Sequence, residues 1–221
     1  MSFLKGTILL LLLVVIGTNA APGPAAEECA NVTKRLPTKD LHEIFGDWVL
    51  VWSVSNHDLG HGLLENLLSS HVEFKLDNDN KTIDYIERNQ FVDNGNLAHC
   101  TTYYTKMTMP SDDAEHHTIN LIPSVRLEKD GEAQEYTEIG DVDFYQTCDD
   151  CLLMDYKTST HQFLLFYRRE GSHQDVEQHK THHADHLKVA ECLGFPQSQP
   201  FIYNGKADFC HKKSAPEPSA E

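Results

Sequence analysis

The chain is short of positive charge. Eighteen lysines and arginines stand against 34 aspartates and glutamates, a formal net charge of -16, which argues against nucleic acid or an anionic membrane as partner and favours cationic ligands. No linker rich in Gly, Ser or Pro divides the sequence and no repeat period shows, so the roughly two hundred residues after the leader read as one domain with a sizeable core. Apolar runs long enough to span a bilayer are also missing, which leaves no stable membrane insertion. No order of serine, histidine and aspartate suggests a hydrolase, and nothing calls for a cofactor.

What is present begins with a leader. Lys5, the apolar run 8–16 and the small residues Gly17, Thr18 and Ala20 read as a secretory signal over 1–20, cut near Ala20 or Ala21. Residues 21–40 form an N-terminal segment, 41–211 the domain and 212–221 a flexible acidic tail. Secretion gives the six cysteines a meaning: an even count predicts disulfides, with fifteen connectivities open. Cys148 and Cys151 flank an Asp-Asp turn, while Cys29, Cys100, Cys192 and Cys210 sit far apart. The sequons at Asn31 and Asn80 are candidate glycosylation sites.

The stretch 44–53, IFGDWVLVWS, reads as the opening strand, with strict alternation placing Trp48, Leu50, Trp52 and Val54 on one face. A loop over 56–65 follows, long enough to cover a barrel mouth. Segments 70–76, 82–91, 98–109, 118–122, 138–147, 151–156 and 161–169 are rich in Tyr, Phe, Ile, Val or Thr and separated by Asp, Asn, Gly or Pro. Eight strands at short spacing with no helices between them predict an antiparallel barrel or sandwich. One helix is predicted, over 174–193, with Val176, Leu187 and Ala190 on its apolar stripe. His179, His182, His183 and His186 lie beside that stripe, with two pairs at i, i+4 spacing: candidate zinc or copper ligands, or a solvated flank. Residues 200–203 form a short ninth strand.

GDWVLVWSV, VEFKL, TCDDCLLMDY, FLLFYRREG, AECLGF and PFIYNGKADFC, in that order behind the signal, resemble the lipocalin family. Within it the pattern looks like the orosomucoid branch and its fish saxitoxin- and tetrodotoxin-binding and tributyltin-binding members. The resemblance implies an all-β, eight-stranded antiparallel up-and-down barrel with one C-terminal α-helix and a short ninth strand. It gives Gly46 and Trp48 a structural role at the barrel floor, with Arg169, rather than Arg168, stacked over the indole. Thr147-Cys148-Asp149 stands where the family has Thr-Asp-Tyr. Orosomucoid-like pairing joins Cys29 to Cys192 and Cys100 to Cys210, and leaves Cys148 to bond Cys151 across the turn or remain a reactive dithiol.

Parity and the resemblance together point Trp52, Arg88, Gln90, Tyr103, Leu152, Met154, Tyr156, Leu165 and Tyr167 into the barrel, with His71 and Glu73 near its mouth. Such a barrel holds one small ligand. The resemblance implies a secreted plasma carrier of a toxin or xenobiotic, not an enzyme. A guanidinium toxin would need a carboxylate, for which Glu73 and Asp155 are candidates, although parity puts Asp155 outside if Met154 points in. An organotin would need a soft donor. Two other readings compete: a histidine-rich metal-binding plasma protein, and a prostaglandin isomerase of lipocalin type, which would require an unpaired thiol in the cavity. The sequence sets no oligomeric state.

Overall fold

The sheet closes on itself because β1 (Gly46–Ser55) has two long-range partners. It pairs antiparallel with β2 (Leu67–Leu76) on one side and with β9 (Gln162–Arg169) on the other. The computed structural model describes residues 26–93, 97–129, 131–210 and 212; the signal, residues 21–25 of the N-terminal segment and the tail beyond 212 lie outside them. Between the closing strands run β3 (Thr82–Asp93), β4 (Leu97–Thr108), β5 (Thr118–Lys129), β6 (Glu132–Tyr136), β7 (Gly140–Tyr145) and β8 (Cys151–Thr158). The bonded order is β1-β2-β3-β4-β5-β7-β8-β9 and back to β1, with β6 attached to β5 and β10 (Phe201–Ile202) to β1. Among the described residues the result is a closed eight-stranded antiparallel barrel with two extra strands and a few helices.

Alternation supplies the interior. Trp48, Val72, Phe74, Ile83, Met107, Val142 and Met154 are almost wholly buried, as alternation requires of the inward-facing residues. At one end Trp48 closes the floor: its Nε1 donates to the Ile44 carbonyl at 2.8 Å, and the Arg169 guanidinium lies 4.0 Å from its ring centroid. Arg169 also donates to the carbonyls of Phe45 and Glu43, both at 3.2 Å. Gly46 must be glycine there, since its φ is +115° and a Cβ would sit 2.8 Å from Arg169 Nη1. A 3-10 turn, Thr38–Ile44, leads the chain into this floor.

Three elements differ from the sequence reading. The stretch 56–65 is not a loop but α2 (Asp58–Asn66), capped by His57 and burying Leu64; its two glycines hide a helical period. β6 was missed because EAQEY is exposed throughout and carries no apolar face. The single predicted helix is broken. Asp175 caps α3 (Val176–Thr181), His182 at φ -85°, ψ 0° ends it, and α4 (His183–Cys192) starts anew. The Thr181 hydroxyl donates to the Gln178 carbonyl at 2.7 Å, a back-bond that competes with continuation.

Three disulfides staple the fold. Cys29–Cys192 ties α1 (Ala26–Val32) to α4, Cys100–Cys210 ties β4 to the C-terminal segment, and Cys148–Cys151 closes the turn before β8. The first two span 163 and 110 residues, so in the chain-entropy account each removes about 4–5 kcal/mol of unfolded-state freedom. Asn31 and Asn80 are both exposed.

Candidate ligand cavity

Above the Trp48 floor, α2 and the upper strands enclose a cavity of about 160 Å³. Its walls are largely aromatic and aliphatic: Leu50, Leu64, Tyr85, Phe91, Tyr103, Phe163 and Leu165 among others. Among the described residues two carboxylates face it, Glu87 from β3 and Glu138 from the segment between β6 and β7, and no lysine or arginine lines it.

Each carboxylate is held by neutral donors. The Tyr85 hydroxyl donates to Glu87 Oε2 at 3.0 Å and the Asn89 amide to Oε1 at 2.7 Å. The Tyr156 hydroxyl donates to Glu138 Oε2 at 3.0 Å. Enclosure raises the Glu87 pKa, the Asn89 and Tyr85 hydrogen bonds pull it back, and the like charge of Glu138 raises it further. The Tyr103 hydroxyl is pushed up by burial and then by the fields of both glutamates. His161, 3.6 Å from Glu138, has its pKa lowered by burial despite that neighbour, so the neutral ring is favoured. Among the described residues the site is therefore a low-dielectric aromatic cage with a carboxyl group on each of two walls and no lysine or arginine.

The predicted inward residues divide. Tyr103, Tyr156 and Leu165 line the cavity. Leu152, Met154 and Tyr167 face inward but are buried in the core below it. Trp52 is a correction. β1 carries a bulge at Val51, where the register against β9 steps from Leu50↔Tyr167 to Trp52↔Phe166. The extra residue sends Trp52 outside, where its Nε1 donates to His183 Nδ1 at 3.1 Å and its ring meets Phe166 and His186.

Arg88, Gln90, His71 and Glu73 also fall on the outer face. In β3 the inward set is Tyr85, Glu87, Asn89 and Phe91, so the even residues point away. Arg88 bonds Glu73 at 3.0 Å, Gln90 bonds Asp208 at 2.9 Å, and His71 is fully buried beneath Phe209. Asp155 is outside as well, held by Gln162 and raised to about 6 by burial. Ile83, Tyr85 and Phe91 were the signal that could have identified Glu87, since their shared parity is that of the core. Glu138 had no such signal.

The four helix histidines do not converge. His179 is buried against the His173 carbonyl, His182 bonds Asp185, and His183 and His186 cover Trp52. Among the described residues all six cysteines are in disulfides, so no thiol reaches the cavity. No described helix is long and apolar enough to cross a membrane.

No family model matches the chain. By fold it is similar to a solved structure described as the siderocalin Ex-FABP, which functions through dual ligand specificities: TM-score 0.50, 13% identity, covering 75% of this chain and 96% of that one. By sequence it is 43% identical over 217 residues to saxitoxin and tetrodotoxin-binding proteins 1 and 2 of Takifugu pardalis. The alignment takes in 98% of this chain and 52% of each relative. The chain thus spans about half the length of these curated relatives; it is similar to them in sequence, and its own fold is a lipocalin-type barrel.

Proposed function

We propose that the protein binds and carries a compact organic cation, of the guanidinium-toxin class, inside the barrel. The observation that carries this is the pair Glu87 and Glu138 facing an aromatic cavity that, among the described residues, no lysine or arginine lines. A guanidinium would pair with a carboxylate by charge-assisted hydrogen bonds and lay its plane on a tyrosine or phenylalanine face. Both interactions gain strength where water is excluded. The relatives' names support the same ligand class. An organotin fits less well, since among the described residues His161 is the one imidazole lining the cavity and no thiol accompanies it.

The proposal is one of binding rather than catalysis, and the relatives' names, which are those of binding proteins, support it. The three disulfides and the predicted signal support secretion, and circulation in plasma is part of the proposal. Isothermal titration with saxitoxin and tetrodotoxin tests it: saturable one-to-one binding, weakened in both Glu87→Gln and Glu138→Gln, is expected. Absence of binding by the unmodified protein, or binding indifferent to both substitutions, would sink it.

A further inference from the structure

On the opposite side of the wall, three metal-ligating side chains from separate elements converge. Asp47 follows Gly46 at the start of β1, His71 lies in β2, and Glu170 follows β9; one donor atom from each lies within 4.8 Å of the others. His71 Nε2 is 3.4 Å from Asp47 Oδ1 and 3.1 Å from Glu170 Oε2. Nitrogen and oxygen ligands about 2.0–2.2 Å from a tetrahedral zinc stand roughly 3.3 Å apart, so these separations match the edges of such a shell.

The centre of the cluster is taken by a cation the chain itself supplies. The Lys212 ammonium is 2.9 Å from Asp47 Oδ1 and 3.3 Å from His71 Nε2, and also bonds Glu170. It arrives on the segment that the Cys100–Cys210 disulfide pins to the barrel, two residues beyond the bond. Asp47 and Glu170 also line an open groove of about 930 Å³, beside His173, Tyr203 and Phe209, which gives an ion a path in.

We propose that Asp47, His71 and Glu170 form a divalent-metal site, suited to zinc, for which Lys212 is a built-in competitor. Nitrogen and carboxylate oxygen donors suit zinc, and two carboxylates with one neutral imidazole offset its charge. The fourth position is left to water. Arg88 acts with Lys212: its Nη1 lies 3.3 Å from His71 Nδ1, and because guanidinium only donates, it makes Nδ1 an acceptor and leaves the ring proton on Nε2. A metal needs the other tautomer, whose Nδ1 proton requires an acceptor as ligating histidines usually have. Arg88 is itself held there by Glu73, to which its Nη2 donates at 3.0 Å. The site is thus held in a lysine-filled state from both sides of the ring, independently of what the cavity binds.

Calorimetric titration of the disulfide-intact chain with zinc chloride, with cobalt absorption as a second readout of coordination, tests the inference. Lys212→Ala should take up one zinc at least tenfold more tightly than the unmodified chain, and cobalt should give the intense visible bands of a low-coordinate site. Adding Glu170→Gln to Lys212→Ala should remove that gain, whereas adding His182→Gln and His183→Gln should leave it. No gain in Lys212→Ala would show that the lysine is only a structural clasp, and a gain surviving Glu170→Gln would place the metal elsewhere; either result overturns the proposal.

Discussion

Glu73 and Glu87 stand on adjacent, paired strands and face opposite sides of one wall. Glu73, outside, has two cations, Lys75 and Arg88, and its pKa is lowered by them against the cost of burial. Glu87, inside, has only an amide and a hydroxyl, and its pKa is raised. The two carboxylates are chemically alike; the difference is that the chain neutralises one itself and leaves the other to be neutralised by something else. A buried anion without a counter-ion lowers stability, and its retention in a cavity is the mark of a site kept for a ligand.

The sharpest way to break this comparison is to neutralise each carboxylate in turn. Glu87→Gln should weaken binding of a guanidinium ligand by about 2–5 kcal/mol, and Glu73→Gln should leave it unchanged, both by calorimetry. The same Glu87→Gln protein should melt at a higher temperature near neutral pH. A carboxyl whose folded pKa is raised contributes stability that is present below its unfolded pKa and lost as pH rises through the folded value, so the advantage of the variant should vanish in acid.

The outer face offers a titration of opposite sign. His186, wedged against Trp52 and Phe166, is lowered to about 4, first by burial and then by His182, His183 and Arg168. Neutral imidazole is favoured in the folded state, so its contribution is present above pH 6.5 and lost on falling toward pH 4. At 1.36 kcal/mol per pKa unit this is about 3 kcal/mol, readable as a falling melting temperature that His186→Gln should flatten.

Arg169→Met removes a cation the chain supplies at the floor. It should cost about 1–2 kcal/mol of stability in denaturant melts with ligand affinity intact. The smallest effect is expected for Trp52→Phe. It loses the hydrogen bond to His183, about 1 kcal/mol of stability, and leaves toxin affinity unchanged, since the indole lies outside the barrel.

What could be read from the sequence follows from what a regular strand dictates. β9 alternates without interruption, so Phe163, Leu165, Tyr167 and Arg169 share a face and Arg169 meets Trp48. β8 behaves likewise, which places Leu152, Met154 and Tyr156 inward. β1 does not, because a bulge costs the sequence no distinctive residue: Val51 is as good a strand former as its neighbours. β3 misled for another reason. Its polar residues fall on both faces, and only the core parity of Ile83, Tyr85 and Phe91 separates Glu87 from Arg88. The break at His182 depends on a hydroxyl back-bond and on the docking of α4 over Trp52, a tertiary contact no local pattern contains.

Val51 itself has a use beyond the bulge it forms. As the residue that opposes nothing on β9, it is surplus to the wall: without it Leu50 would still face in and Trp52 still face out, by ordinary alternation. Its carbonyl, however, accepts from the Tyr203 N–H at 3.0 Å, just after β10. One residue of excess length in the first strand has thereby become a mooring for the end of the chain. A protein lacking Val51 should keep the same cavity lining while its C-terminal segment, the carrier of Lys212, rides more loosely on the barrel.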